Sequence, residues 1–186
     1  MEGMTGASKA SNRPQATRPD PSEHAPYYGK YIALVPDGDI LATLETQASG
    51  TGRLLAGLTE QQAAHRYASD KWSVKEVIGH IADSERIFAY RALRIARGDQ
   101  TPIEGFEQDD YVRAAQFDRL SIADLVAEFA AVRQATLRLF ESLSVDAWTR
   151  RGVANNNEVS VRALAYMIAG HELHHRQILS KRYAVE

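Results

Sequence analysis

Four residues near the end of the chain carry side chains that could do metal chemistry. The stretch "YMIAGHELHHRQIL", residues 166–179, contains His171, Glu172, His174 and His175. It matches H-E-x-x-H, in which two histidines on one helical face bind zinc and the glutamate is the general base of a metallopeptidase. Three alternatives follow: a peptidase, another kind of metal protein, or a helix whose histidines are hydrogen-bonded core residues.

The helical positions of these residues favour a metal site. On a helical wheel His171 and His175 lie in the middle of the apolar stripe, whereas His174 falls at its edge and Glu172 on the opposite flank. Residues one turn apart on a helix have Cβ atoms roughly 5–6 Å apart, so two such imidazoles can converge on one ion. A shared ion also satisfies buried imidazole nitrogens that would otherwise need separate partners.

The two best-known sites of this kind do not fit the rest of the chain. The extended peptidase motif needs Gly and His at positions that hold Ile178 and Lys181 here, and only eleven residues follow His175. A di-iron carboxylate centre needs Glu-x-x-His on each of two helices, but the upstream Glu76 and His80 are four residues apart. Both a peptidase and a di-iron protein are therefore disfavoured.

A histidine upstream supplies the missing third ligand. Ser73 and Glu76 form a capping box, which predicts the start of a helix. His80 lies two turns into that helix, on its inward face. Together His80, His171 and His175 would form a three-imidazole site that leaves positions open for water or substrate.

The neighbouring carboxylates have alternative interpretations. Glu172 is either a proton acceptor or a solvent-facing residue. Glu76 and Asp83 lie near the face of His80 and could orient its imidazole through the second nitrogen, unless the capping box occupies Glu76. The remaining histidines are interpreted as lying outside the site: His24, His65 and His174.

The composition gives no reason to expect a charged macromolecular partner. The chain has 186 residues, 22 Lys and Arg against 24 Asp and Glu, and a net charge of −2. It contains no cysteine, which excludes disulfides, thiolate zinc sites and cysteine nucleophiles. No apolar run approaches the roughly 20 residues that span a bilayer. We therefore expect no nucleic-acid or membrane partner and a cytoplasmic location, and the open three-histidine site would take a small-molecule substrate.

The hydrophobic pattern predicts one helical domain after a leader. Residues 1–26 are interpreted as a disordered leader and residues 27–186 as the domain, because only the latter shows apolar periodicity. No segment alternates as a strand would. Four helices are predicted, the second reaching about Arg97 and the last running from Val161 to roughly Tyr183, with these capping residues: Asp37 or Asp39, Ser73, Ser121 and Ser160.

Two long connections separate the last three helices, so the prediction is an all-α four-helix bundle with crossover connections. The first, residues 98–120, is acidic and aromatic. A connection of this length either forms a wall of a site or covers the end of the bundle. Its candidate wall residues are Phe106, Asp109, Asp110 and Tyr111.

The stretches "RYASDKWSVKEVIGHIADSERIFAYRALRIARGD" and "SVRALAYMIAGHELHHRQILSKRY" resemble the DinB/YfiT-like superfamily of four-helix-bundle metalloenzymes. The similarity extends over residues 27–183, and its most specific parts are W-S-x-x-E-x-x-x-H and the final H-x-x-x-H. The resemblance implies that His80, His171 and His175 bind a divalent metal, with zinc or nickel expected first and iron or manganese as alternatives.

The reaction implied by the resemblance is less specific. Members of the superfamily include S-transferases and an isomerase that use low-molecular-weight thiols such as bacillithiol or mycothiol, and others are described as metal-dependent hydrolases. The expectation is a metal-dependent transferase or hydrolase, with a small thiol as a candidate co-substrate, that forms a homodimer. The alternative is a metal-stabilised stress-response or binding protein without turnover.

Overall fold

The computed structural model describes residues 17–185, and its secondary structure is mainly helical. Within that range there are eight α-helices and one pair of short strands. In chain order they are α1 (Gly29–Ile32), α2 (Ile40–Ala56), α3 (Glu60–Ala63), α4 (Val74–Ala96), α5 (Gln108–Ala115), α6 (Ile122–Glu141), α7 (Val145–Trp148), β1 (Arg151–Ala154), β2 (Asn157–Ser160) and α8 (Val161–Tyr183).

The four long helices α2, α4, α6 and α8 form the predicted four-helix bundle. Helix α4 packs against both α6 and α8, and α2 packs against the same two helices from the other side. Consecutive long helices α2 and α4 therefore occupy opposite corners, as do α6 and α8. The connections that join them must cross the bundle, which confirms the fold class expected from the sequence.

Helix boundaries follow the capping residues that the sequence indicated. The side chain of Ser73 accepts a hydrogen bond from the Glu76 amide and the Glu76 carboxylate accepts one from the Ser73 amide, so α4 begins with a complete capping box. Ser121 and Ser160 cap α6 and α8. The chain leaves α4 through Gly98, whose φ of 84° lies in the left-handed region that glycine adopts without strain.

The expectation that no segment forms a strand is wrong. Strands β1 and β2 pair antiparallel just before α8, and they are joined by a tight turn. Asn155 and Asn156 in that turn have φ of 49° and 58°, which asparagine tolerates better than most residues. A residue of the 98–120 connection, Ile103, pairs with Ala154, so the hairpin anchors that connection to the bundle.

The last part of the predicted leader is packed against the bundle. Residues 1–16 lie outside the described range, but Glu23 is buried and its carboxylate accepts hydrogen bonds from the Arg162 guanidinium of α8. Arg18 donates to the carbonyl oxygens of Ile32 and Val35, each at 2.6 Å. Residues 17–26 therefore form part of the fold, which corrects the expectation of disorder for them.

A polar layer divides the core into two apolar parts. One apolar cluster includes Leu44 of α2, Phe88 of α4 and Leu137 of α6, and the other includes Leu55 and Phe129. Each long helix carries buried polar side chains near the junction of the two clusters: Gln47 and Thr51 on α2, His80, Ser84 and Glu85 on α4, Arg133 and Thr136 on α6, and His171, Glu172 and His175 on α8.

Arg133 connects this layer. Its side chain has no exposed surface, and it donates two 2.8 Å hydrogen bonds to Glu85 of α4 and one of 2.6 Å to Glu172 of α8. It also donates to the Leu44 carbonyl oxygen of α2 at 3.1 Å. One guanidinium on α6 therefore contacts the other three long helices.

No helix among residues 17–185 is long and apolar enough to cross a membrane.

The Arg133 network provides a stability test. Arg133→Met would leave the carboxylates of Glu85 and Glu172 buried without a cation, which typically costs about 3–5 kcal/mol. Urea unfolding should show that loss, whereas Arg138→Ala on the same helix should change stability by less than about 0.5 kcal/mol, because Arg138 is 77% exposed. Equal effects of the two substitutions would contradict the role assigned to Arg133.

The Glu23–Arg162 pair predicts a pH-dependent contribution. Hydrogen bonds from Arg162 lower the pKa of Glu23 to about 2, below its ordinary value of 4.5. A carboxyl group whose pKa is lowered in the folded state stabilises the fold at pH values above its ordinary pKa. That stabilisation is lost as the pH falls towards 2.

Glu23→Gln should therefore lower the free energy of unfolding at pH 7 by about 1.5–3 kcal/mol, the usual contribution of hydrogen bonds to charged groups. The difference from wild type should shrink below about pH 4.5 when chemical unfolding is measured across pH. Glu158→Gln is the control, since that carboxylate is 60% exposed in its pair with Arg151. A constant difference for Glu23→Gln at all pH values would contradict the prediction.

Candidate metal centre

Helix α8 presents His171 and His175 to the bundle interior. The Ser160 hydroxyl caps the start of the helix by accepting a hydrogen bond from the Ala163 amide at 3.0 Å. The position of this cap determines which residues of α8 face inward. Both histidines are buried, with 7% and 8% of their surface exposed. Their Nε2 atoms lie 3.1 Å apart.

Helix α4 supplies the third histidine. The Nε2 atom of His80 lies 3.1 Å from Nε2 of His171, although 91 residues separate them in the chain. Each histidine has a ligand nitrogen within 4.8 Å of the others, and no other group of this kind occurs among residues 17–185. The structure thus brings together the three histidines that the sequence singled out.

The separation of these nitrogens fits a bound metal ion. Nitrogen ligands placed tetrahedrally at the zinc–nitrogen distance of about 2.0–2.1 Å stand about 3.3 Å from one another. The observed 3.1 Å separations are close to that value. Three Nε2 atoms that converge on one point, with one lone pair available on each, form a donor set for a divalent ion.

Burial keeps the three imidazoles neutral. Removal from water lowers the pKa of His80 to about 4. Burial, together with the neighbouring imidazoles, lowers the pKa of His171 and His175 well below the ordinary value of 6.5. Neutral imidazole is the form that binds metals, so at pH 7 no proton has to be removed from these ligands.

Among residues 17–185, the Nδ1 atoms of His80 and His175 have long or absent hydrogen bonds. Ser84, one turn after His80, places its hydroxyl 3.4 Å from His80 Nδ1. The sequence proposed Glu76 and Asp83 for this role, but Glu76 pairs with Arg66 and completes the capping box, and Asp83 pairs with Arg86. Ser84 could have been found from its spacing, because residues four apart lie on one helical face.

His175 has a buried Nδ1 atom with no hydrogen-bond partner in the described part of the chain. A metal-binding histidine usually donates its other N–H to a carboxylate, a carbonyl or water, so this atom marks a place for an ordered water.

Neither interpretation of Glu172 from the sequence is right. The residue has no exposed surface, so it does not face solvent. Its carboxylate accepts hydrogen bonds from Arg133 and from the hydroxyl of Thr51. These contacts hold it in the polar layer as a structural ion-pair partner, so it cannot act as the free proton acceptor of an H-E-x-x-H peptidase.

Aromatic rings surround the histidine cluster. The ring centroid of Trp72 lies 4.8 Å from that of His80, and Tyr31 and Phe88 lie 5.5 and 6.1 Å from His171. Gly170 allows this arrangement, because a Cβ there would stand 2.1 Å from the Tyr31 carbonyl oxygen. The rings limit contact of the ligands with water, which strengthens electrostatic interactions inside the site.

The other histidines lie outside the cluster, as expected from the sequence. His174 is half-buried and packs against Tyr31, with ring centroids 5.0 Å apart. His24 contacts the adjacent Ala25 carbonyl, and His65 packs at the edge of the Tyr183 ring.

Two cavities border the histidine cluster. The first, of about 250 Å³, is lined by His80 and His171 together with Tyr28, Tyr31 and Phe106. The second, of about 300 Å³, is lined by His175 with the following residues: Tyr67, Trp72, Ile178 and Tyr183. The two cavities therefore border different members of the same histidine cluster.

The 98–120 connection contributes to the cavity walls through α5 and the residues just before it. Phe106 lines the first cavity, and Asp109 lines both. Asp110 instead pairs with Arg113 on the outer side, and Tyr111 packs on Phe106 with 48% of its surface exposed. Two of the four residues expected at a substrate wall therefore lie there.

The model of the DinB superfamily matches residues 43–179, which cover most of the bundle and all three histidines. The chain belongs to the DinB superfamily. This DinB protein is similar to a protein of Oceanobacillus iheyensis named "putative metal-dependent hydrolase". The two sequences are 25% identical over 138 residues, which cover 73% of this chain and 78% of the relative.

Two solved structures share the fold of this DinB protein. YfiT from Bacillus subtilis, described as "a probable metal-dependent hydrolase with an unusual four-helix bundle topology", superposes with a TM-score of 0.69 at 17% identity, covering 90% of this chain and 94% of YfiT. The mycothiol-dependent maleylpyruvate isomerase superposes with a TM-score of 0.64 at 15% identity, covering 78% of this chain and 61% of the isomerase. Both matches concern the fold.

Metal analysis tests the ligand set. After reconstitution with zinc, wild type should retain about one ion per chain, and His80→Ala, His171→Ala and His175→Ala should each lose most of it, because two imidazoles hold zinc far more weakly than three. His174→Ala, which alters a neighbouring histidine outside the cluster, should retain the wild-type content. Unchanged metal content in all three ligand variants would contradict the assignment.

Proposed function

We propose that this DinB protein is a metal-dependent enzyme that activates a small nucleophile at His80, His171 and His175. The observation that supports the proposal is the convergence of three neutral imidazoles beside two cavities, with His171 Nε2 3.1 Å from the Nε2 atoms of both His80 and His175. The chemistry that a divalent ion supplies at such a site is a lowered pKa of a bound water or thiol.

The protein's own residues supply the remaining requirements. The neutral imidazoles leave the charge of a cation uncancelled. Trp72, Tyr31 and Phe88 screen the ligands from bulk water, and the aromatic walls of the cavities bind apolar parts of a substrate. Three imidazoles accept zinc, nickel, iron or manganese, and we propose zinc or nickel as the resident ion.

Hydrolysis and group transfer are the two reactions to distinguish. Hydrolysis is suggested by the names of the Oceanobacillus relative and of YfiT, and it requires one organic substrate and water. Transfer from a small thiol to an electrophile requires two organic ligands, and the pair of cavities favours it. The mycothiol dependence of the isomerase also favours transfer from a thiol.

A metal-stabilised protein without turnover is the alternative. A structural site is normally closed by a fourth protein ligand. The described residues offer three ligands, and cavities reach them, so the arrangement supports catalysis instead. The homodimer expected from the sequence stays a prediction.

Two probe reactions test the proposal on zinc- and nickel-reconstituted protein. Hydrolysis is followed with p-nitrophenyl acetate alone, and transfer with 1-chloro-2,4-dinitrobenzene plus 2-mercaptoethanol. We expect a metal-dependent rate in at least one reaction. His80→Ala should lower that rate to the rate of chelator-treated protein, whereas His174→Ala should retain the wild-type rate. Equal rates in wild type and His80→Ala would contradict the proposal.

A further inference from the structure

Activation of a water or a thiol releases a proton, so the site needs a group that accepts it. The three imidazoles at the centre would use their Nε2 atoms as ligands of the proposed metal ion. Glu172, the acceptor that the H-E-x-x-H pattern would provide, is held by Arg133 and Thr51 in the buried polar layer. Any protein group that accepts the proton must therefore come from another element.

Three carboxylates line the two cavities, and only one lines both. Glu107 lines the first cavity and Asp70 the second, where it forms a 2.6 Å ion pair with Lys71. Asp109 lines the cavity of His80 and His171 and also the cavity of His175. It therefore belongs to the walls of both cavities that border the histidine cluster.

The helix that carries Asp109 is held in position, and the exposed Asp109 carboxylate is not engaged. It lies in the first turn of α5, and that helix is fixed by Val112, which is 3% exposed, and by Phe117, which packs on Gly79 of α4. The Asp109 carboxylate makes no hydrogen bond or ion pair with any described side chain, whereas the adjacent Asp110 is paired with Arg113 at 2.7 Å. Its lone pairs are therefore free to accept a proton.

We propose that Asp109 is the proton acceptor of the reaction and returns the proton to the leaving group. The inference rests on the function proposed above. The S–H bond of a thiol in one cavity breaks, its proton forms an O–H bond with the Asp109 carboxylate, and the electron pair stays on sulfur. The sulfur then bonds to the electrophilic carbon of a substrate in the other cavity.

The leaving group departs from that carbon with the bonding pair and takes the proton from Asp109, which restores the carboxylate. The position of Asp109 at the boundary of both cavities suits both transfers, because the proton is collected on one side and delivered on the other. A water in place of the thiol would lose its proton to the same carboxylate. Asp109 would then serve hydrolysis and transfer alike.

The test uses cobalt(II)-substituted protein and 2-mercaptoethanol as the probe. Coordination of the thiolate changes the visible absorption of cobalt, so the rate of thiol deprotonation can be followed by stopped flow without turnover. Asp109→Asn should bind cobalt as wild type does but form the thiolate about 10²-fold more slowly or worse, the usual effect of losing a general base. Asp110→Asn is the matched control and should behave as wild type.

Chemical rescue separates proton transfer from a structural role. Sodium formate should accelerate thiolate formation in Asp109→Ala in proportion to its concentration and should leave Asp110→Ala unchanged. Equal rates for Asp109→Asn and wild type, slowing by Glu107→Gln instead, or absence of rescue would each overturn the inference. A wild-type protein that binds cobalt but gives no thiolate signal would overturn the thiol chemistry of the proposed function and this inference with it.

Discussion

A buried guanidinium must be paired, and this requirement sets the arrangement of the whole bundle. Arg133 has no exposed surface, so its charge is tolerated only because Glu85 and Glu172 accept its hydrogen bonds. Those carboxylates lie on α4 and α8, the helices that carry the three histidines. A shift of either helix along its axis would break a charged hydrogen bond in the interior. The ion pairs therefore fix the helix register on which the convergence of His80 with His171 depends.

The same constraint changes the meaning of a familiar sequence pattern. In an H-E-x-x-H peptidase the glutamate faces a water at the zinc. Here Glu172 points to the other side of α8, towards Arg133 and Thr51, while His171 and His175 face α4. One short stretch thus contributes to two adjoining centres, an ion-pair network and a candidate metal site. The carboxylates that line the cavities, Asp70, Glu107 and Asp109, therefore come from connections outside the four long helices or from α5.

Local signals predicted the long helices and the histidine cluster. The serine caps at the starts of α4, α6 and α8 act within one helical turn, and the inward position of His80 follows from its distance to Ser73. The hairpin before α8 was missed because four-residue strands are too short to show alternation. Arg133 was missed for a different reason. A charged residue on a helix is normally exposed, and only its partners, 48 and 39 residues away, explain its burial.

The span between the histidines has a consequence for folding. A chain without cysteine has no covalent way to tie distant segments, yet His80 and His171 meet across 91 residues. An ion held between them would be a reversible cross-link that closes the intervening loop. A long-range disulfide that restricts the unfolded chain in the same way stabilises a fold by roughly 4–5 kcal/mol. Because the three-histidine site is complete only after α4 and α8 have docked, metal occupancy would report that these two helices have come together.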